Sequence, residues 1–379
     1  MSGTTIHLRS ETKPLEHRSA LSPATAKALV DAGYTLNVER SPVRIFDDAE
    51  FEKVGATLVD EGSWVNAPED HIILGLKELL EEEFPLKHVH VTFHHCFKNQ
   101  GGWEDILSRY ARGGGTLLDL EFLEKEVAPG RFVRVAAFGW SAGFSGAALA
   151  LQNWAWQLNN PGKLLPAVES YPNESDLLTA VKKSIAEGQA KAGKLPRVLI
   201  IGALGRCGSG AVEMCRRAGI PEENITKWDI QETSQKPGPY QEIVESDIFI
   251  NCIYLNKKIP PFIDLESLKS PSRQLSVVCD VSADTTNPNN PVPIYTVATT
   301  FDKPTVPVEG LDEKLPLSVI SIDHLPSLLP REASETYGND LVPHLLNLKD
   351  WRNDPVWSRA EKLFQEKVAT LPEQYQKKA

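Results

Sequence analysis

The chain has 379 residues, of which 41% are hydrophobic and 24% charged, with eight Trp, eight Tyr and thirteen Phe. That is enough to build two sizeable cores and too many core formers for a disordered chain. Lys and Arg number 40 against 51 Asp and Glu, a net charge of −11. This excludes recruitment of nucleic acid or an anionic membrane by the overall field, and leaves local basic pockets for acidic small molecules. The five Cys are odd in number and scattered, which suits a reducing compartment rather than a disulfide framework. The polar N-terminus has no signal-peptide pattern and residues 376–379 match no peroxisomal tripeptide, so the cytosol is expected. The uncharged stretch 135–160 contains Ser, Gln, Asn and Gly. It reads as a buried strand followed by a buried helix rather than a membrane span.

Strand and helix patterns alternate from the N-terminus. Strands are expected at 4–11, 35–40, 56–60, 71–78, 89–95, 116–123 and 134–140, with helices at 23–33 and near 48–54. This is one βα-repeating unit built on a parallel sheet. The helix expected at 142–158 connects it to a second unit, after a Pro-rich loop at 159–174. There the strands fall at 195–202, 224–230, 246–254, 275–282, 293–300 and 318–325, with a helix to 218. Loops are expected at 283–293 and 301–316, and a polar helical tail at 341–379. The fold class is therefore α/β, with two Rossmann-like, doubly wound parallel-sheet domains and a cleft between them. One domain is expected to comprise 1–140 plus 322–379 and carry the substrate chemistry. The other is expected to comprise 141–321.

The strongest local chemistry lies at 198–211, where the strand VLII runs into a glycine cluster that opens a helix. Such a turn lets the backbone approach a pyrophosphate, and the helix N-terminus offers N–H groups and a positive dipole end. The spacing is Gly202-x-x-Gly205-x-x-Gly208 rather than G-x-G-x-x-G. Asp229 ends the next strand, 19 residues past Gly210. A carboxylate there accepts from the ribose hydroxyls and repels a 2′-phosphate, which points to NAD over NADP. Arg206, inside the turn, is placed to reach the pyrophosphate. Cys207 lies in the turn and Cys252 ends a neighbouring strand. A disulfide between them that obstructs the cofactor is one expectation, and two reduced thiols the other.

Three consecutive strands end in titratable groups. Lys77 and Glu78 follow IILGL, His94, His95 and Cys96 follow VHVTF, and Glu121 ends TLLDLE. Ligands bind in open α/β sheets at these carboxyl ends, so Lys77 is a candidate base. Alternation sends only one of His94 and His95 toward the crevice. Five of the nine His (71, 88, 90, 94 and 95) crowd this segment. They lack a C-x-x-C or H-E-x-x-H frame, so no metal is expected. Nothing marks Cys96 as a nucleophile.

The opening, LRSETKPLEHRSALSPATAKALVDAGYTLNVERS (8–41), resembles the alanine dehydrogenase and transhydrogenase superfamily. The blocks GSWVNAPEDHIILGLKE, VVCDVSADTTNPNNPVPIYTVATTF and VISIDHLPSLLPREAS resemble the fungal NAD-dependent, L-lysine-forming saccharopine dehydrogenases, over nearly the whole chain. The resemblance implies oxidative cleavage of saccharopine with NAD and water to L-lysine, 2-oxoglutarate and NADH, the last step of the aminoadipate route to lysine. It implies Lys77 acting on the amine and His95 on imine hydration, with Glu78 and Glu121 tuning them. It further implies substrate contacts from Arg18, Arg134, Lys98, Gln100 and Phe138. Cofactor contacts are implied for Gly205, Arg206, Asp229, Thr233, Tyr254, Val281, Ile322, Asp323, His324 and Leu325. In one departure, Val133 stands where relatives place a second Arg beside Arg134, and Arg131 lies nearby. Partners are expected to be small molecules only, with the chain monomeric. The rival readings are an alanine-dehydrogenase-like oxidoreductase and a catalytically silent NAD sensor. The IDHLPSLLPREAS and SADTTNPNNP blocks disfavour the first, and the presence of Lys77 and His95 the second.

Overall fold

A computed structural model describes residues 3–80, 82–282, 287–312 and 315–376. Parts of the loops expected at 283–293 and 301–316, and the last three residues of the tail expected at 341–379, lie outside the described residues. The chain divides into two compact units, Met1–Ala137 with Pro330–Ala379, and Phe138–Leu329.

In the first unit, β1 (Thr5–Leu8), β2 (Thr35–Glu39), β3 (Thr57–Val59), β4 (Ile72–Leu74), β5 (Val89–Thr92) and β6 (Thr116–Asp119) form one sheet. Its order is β3-β2-β1-β4-β5-β6, with every pair parallel. The order reverses between β1 and β4, and crevices for ligands open at the carboxyl ends there. Helices α1 (Pro23–Asp31), α2 (Asp48–Lys53) and α3 (Trp103–Gly113) lie among these strands in the chain. The sequence Ser-Pro-Ala-Thr starts α1 for a physical reason. Ser22 Oγ accepts the Thr25 N–H at 3.2 Å, and Pro23 occupies the first helical position, where no N–H is needed.

The strand expected at 134–140 is not part of this sheet. Instead β7 (Glu124–Ala128) and β8 (Arg131–Arg134) make an antiparallel hairpin turning at Gly130, whose φ is +73°. Most of its residues are exposed, so the period-2 pattern that marks a core strand has nothing to bury there.

The second unit opens with α4 (Gly139–Asn159) and α5 (Glu174–Ala192). Helix α5 follows the loop expected at 159–174 and is not marked by the strand and helix patterns of the sequence. The Asn173 side chain caps its start by accepting the Asp176 N–H at 2.9 Å. There follow β9 (Val198–Ile201), α6 (Arg206–Arg217), β10 (Ile225–Trp228), α7 (Ile230–Thr233), α8 (Gln241–Val244), β11 (Ile248–Asn251), β12 (Val277–Asp280), β13 (Val306–Pro307) and β14 (Ser318–Ile320). The sheet order is β10-β9-β11-β12-β14-β13, parallel except for the short edge strand β13. The run VLII is apolar throughout because both faces of its strand are covered. Val198 and Ile200 join the core with α4, α5 and α6, while Leu199 and Ile201 join the core with Tyr240, Phe262 and Val319.

No strand forms over 293–300. The segment makes only isolated bridges at Thr299 and Thr300, and Pro291 and Pro293 remove two ladder donors at its entrance. Likewise 318–325 is a strand only to Ile320, after which a short 3₁₀ turn, Leu325–Leu328, takes over at Pro326. The chain then returns to the first unit as α9 (Pro330–Leu345), α10 (Pro355–Val368) and α11 (Glu373–Gln376). The terminal helical region thus begins eleven residues before the expected position 341. Among the described residues no helix is long and apolar enough to cross a membrane. The uncharged α4 is instead packed closely on α6. A Cβ at Gly143 would stand 1.8 Å from the Cys207 carbonyl oxygen, and one at Gly210 would stand 2.0 Å from that of Trp140.

Candidate active site

At the carboxyl end of the first sheet, the side chains that follow β4, β5 and β6 meet in one charged cluster. Lys77 is buried, close enough for its charge to act on the neighbouring Glu78 carboxylate. Burial alone would raise Glu78, but the charges of Lys77 and Lys13 hold its carboxylate below the ordinary value. Lys13 Nζ donates to Glu78 Oε1 at 2.9 Å. His95 stands between two carboxylates, with Nε2 3.9 Å from Glu78 Oε2 and Nδ1 3.8 Å from Glu121 Oε2. Glu121 in turn accepts from Lys98 Nζ at 2.6 Å and lies 3.7 Å from Arg134 Nη2. Gln100 Oε1 accepts the Lys98 N–H at 2.8 Å.

Backbone conformation separates the two histidines. His95 has φ +51°, a left-handed conformation shared among non-glycine residues by Leu15 and Asn99, both nearby in the chain to cluster residues. Such conformations cost energy and concentrate at functional sites. His95 is partly open to solvent, whereas His94 is buried against the Tyr110 ring. Burial and the charges of Arg9 and Arg109 push His94 down to about 3, which keeps it neutral in the core. Cys96 is also buried, and burial drives its thiol far upward, away from nucleophilic use. No group of three or more His, Cys, Asp or Glu among the described residues is placed to hold a metal.

Arg18 and Phe138 complete the sequence-derived substrate set. Arg18 is buried, and its Nε and Nη2 donate to the two oxygens of Glu16 at 2.8 and 2.7 Å. Phe138 is the residue preceding α4, in the second unit. Sequence reasoning missed Lys13 and Asp119. Asp119 is buried at the end of β6 and accepts the His94 N–H at 3.2 Å and the Glu121 N–H at 2.8 Å. Its carboxylate therefore ties together the two loops that carry His95 and Glu121. Burial raises it to about 7. The signal for both was positional: like Lys77, each is a charged residue at or just past the end of an apolar strand.

In the second unit the glycine turn connects β9 to α6. Gly202 has φ +85°, and a Cβ on Gly208 would stand 2.0 Å from the Gly202 carbonyl oxygen. The turn is therefore closed backbone against backbone. Gly205 is the N-cap of the twelve-residue α6 and supplies no side-chain cap. The first N–H groups of such a helix have no intrahelical acceptor. With the positive end of the helix, they suit a pyrophosphate. Asp229, just past β10, accepts the Leu204 N–H at 3.1 Å and the Ile230 N–H at 2.9 Å. This holds the carboxylate beside the turn with lone pairs remaining for ribose hydroxyls. The residues present thus fit a dinucleotide.

Arg206 and Tyr254 are exposed, and Thr233 Oγ donates to the Asp229 carbonyl at 3.0 Å. Val281 follows β12, its N–H donating to the Asn251 carbonyl at 3.0 Å. Ile322 and Leu325 are core residues, Asp323 is exposed, and His324 packs edge-on against Phe301. Cys207 and Cys252 are both free thiols. The Cys207 thiol hydrogen-bonds that of Cys252 and, with burial, pushes Cys252 well upward.

A doubly wound sheet with an acid–base cluster at its carboxyl end, joined in one chain to a second sheet with a dinucleotide turn, defines a class: NAD-dependent dehydrogenases of the alanine dehydrogenase and transhydrogenase fold. Residues 7–144 match the family described as alanine dehydrogenase/PNT, N-terminal domain. An L-alanine dehydrogenase structure superimposes with a TM-score of 0.64 at 18% identity, covering 96% of this chain and 94% of that one. A transhydrogenase from Sinorhizobium meliloti gives 0.63 at 17%, covering 94% and 97%. The saccharopine dehydrogenase (NAD+, L-lysine-forming) of Neurospora crassa is 68% identical over 98% of this chain and 99% of its own length. That of Emericella nidulans is 61% identical over 98% and 100%, and that of Schizosaccharomyces pombe 56% over 97% and 99%. The chain belongs to the saccharopine dehydrogenases (NAD+, L-lysine-forming) and is an NAD-dependent oxidoreductase.

Proposed function

We propose that the chain cleaves saccharopine with NAD and water to L-lysine, 2-oxoglutarate and NADH, using Lys77 and His95 as its acid–base pair. The observation that carries this reading is the placement of His95 between the Glu78 and Glu121 carboxylates, with Lys77 beside Glu78. NAD held at the glycine turn would supply the acceptor for the hydride on the carbon next to the substrate nitrogen. Lys77 takes the proton of the secondary amine. His95 then deprotonates the water that adds to the imine carbon and returns a proton to nitrogen as the carbinolamine collapses and the lysine amine leaves. The flanking carboxylates orient the imidazole. Saccharopine carries three carboxylates. Lys13, Lys98 and Arg134, the cations around Glu78 and Glu121, are of the kind that clamps them, and the same reading assigns Arg18, Gln100 and Phe138 to the substrate.

In the same reading NAD binds the second unit at the glycine turn and Asp229, with Gly205, Arg206, Thr233, Tyr254, Val281 and Ile322–Leu325 as its further contacts. The same reading takes the protein as a cytosolic monomer acting on small molecules. The test is growth of the NADH absorbance band with saccharopine plus NAD, against parallel mixtures with L-alanine or NADP. Signal only in the first mixture is expected. Signal with alanine would keep the cofactor site and overturn the substrate assignment.

A further inference from the structure

On its β1 side the segment carrying Lys77 is held by side chains where a sheet would ordinarily hold it by backbone, while on its β5 side the Phe93 N–H still donates to the Leu76 carbonyl at 3.0 Å. The ladder between β1 and β4 ends with the Arg9 N–H donating to the Leu74 carbonyl at 2.9 Å. Beyond that point β1 offers no further carbonyls. The Glu11 carboxylate takes their place, with Oε1 accepting the Leu76 N–H at 2.7 Å and Oε2 the Lys77 N–H at 2.9 Å. The Lys77 carbonyl accepts from Thr92 Oγ1 at 3.0 Å and also from Arg9 Nη2. Arg9 Nη2 reaches Thr92 Oγ1 at 3.3 Å, and Arg9 Nη1 reaches Glu11 Oε2 at 3.4 Å and the Ser10 carbonyl at 3.1 Å. Arg9, Glu11 and Thr92 are all buried.

Gly75 is the residue that makes room for this arrangement. A Cβ there would stand 2.3 Å from Arg9 Nε and 2.6 Å from Cζ. Arg9 is buried and bonded on several sides, so its guanidinium has nowhere to retreat. An ion pair buried at this depth is a poor source of stability, because desolvation offsets its attraction. Its fixed geometry is what distinguishes it.

We propose that Arg9 and Glu11, with Thr92, form a clamp that positions Lys77 for proton transfer, and that Gly75 is glycine to admit the Arg9 guanidinium. The clamp touches no reacting atom: it fixes the peptide units on both sides of the Lys77 Cα, and so the direction in which the side chain leaves the sheet. Misplacement of an acid–base group by about 1 Å can cost on the order of 100-fold in rate. The proposal rests on Lys77 being the base of the reaction.

The experiment compares Glu11→Gln, Gly75→Ala, Arg9→Lys and Thr92→Val with Lys77→Met in the full chain. It measures kcat and its pH profile, KM for NAD, and thermal melting. Glu11→Gln sets an amide donor against a backbone N–H, Gly75→Ala displaces the guanidinium without touching its charge, and Arg9→Lys keeps the charge but loses the fork. Each is expected to lower kcat about 10- to 100-fold and displace its pH profile, with KM for NAD within about twofold because the cofactor turn is untouched. Thr92→Val nearly preserves volume and removes one bond to the Lys77 carbonyl. It is expected to lower kcat several-fold and decides the question if the others fail to fold. Variants that melt earlier while keeping the parent kcat and pH profile would overturn the clamp and leave only a structural role. Full turnover in Lys77→Met would instead remove the base assignment, and the clamp with it. Slow Lys77→Met beside fast clamp variants would remove the clamp alone.

Discussion

The two sheets present opposite kinds of chemistry at their carboxyl ends. The first ends in side chains: Glu78, His95, Lys98, Glu121 and Arg134 hold one another through ion pairs and hydrogen bonds, with Lys77 adjoining Glu78. The second ends in backbone: Gly202, Gly205 and Gly208 bring peptide groups together where any Cβ on Gly208 would collide, and the Asp229 carboxylate is drawn to the turn through the Leu204 N–H. The difference follows from the two tasks. Moving protons needs groups that titrate, and these must be desolvated and mutually restrained to act. Holding a pyrophosphate needs close approach and aligned N–H groups, which a side chain would only obstruct.

That contrast can be broken first at the proton-handling end. Lys77→Met keeps the stem and deletes the amine. Turnover of saccharopine is expected to fall about 100- to 10,000-fold, while NAD binding, followed by fluorescence titration, stays near that of the parent. Loss of NAD binding in this variant would erase the division of labour between the two regions. The reciprocal change is Gly208→Ala, whose Cβ would fall 2.0 Å from the Gly202 carbonyl oxygen. It is expected to weaken NAD binding by about tenfold or more, with pairwise closeness in the turn as the cause. An unaltered NAD titration would show that the turn can relax.

The smallest effect concerns Asp119, whose carboxyl burial raises to about 7. The folded state keeps this proton at pH values where the unfolded chain has already lost it. Its contribution to stability is therefore fully present below the ordinary carboxylate range and is lost as pH rises toward 7. Within that window a melting series should decline with pH more steeply for the parent than for Asp119→Asn, with a difference of about 2 to 4 °C per kcal/mol. Parallel melting curves would show that Asp119 is ionised throughout. The groups facing it are Glu121, Arg134, Cys96, Tyr110 and Tyr337.

Much of this protein was readable before any coordinates. The apolar runs IIL, VLII and VVCD are continuous because their strands are covered on both faces, and a run of that kind needs no tertiary information to be recognised. Lys77, His95, Glu121 and Asp229 could be picked out because each stands at or just beyond the end of such a run. The sequence misled where local pattern and global burial part company. The run 134–140 reads as a core strand, yet only Arg134 lies in a strand, at the end of an exposed hairpin. The stretch 293–300 is apolar enough for a strand, but prolines deny it a ladder.

What only the tertiary structure decided are relations between residues far apart in the chain. Glu11 meets Lys77 across 66 positions, and Asp119 meets His94 across 25. These contacts depend on parallel pairing of β4 with β1 and of β6 with β5, a register that sets which carboxylate lies level with which N–H. Spacing along the chain carries no trace of that register. The sequence by itself fixed the residue types needed for amine oxidation and for NAD, because chemistry is local to a side chain. Position is not local, and the sheets decided it.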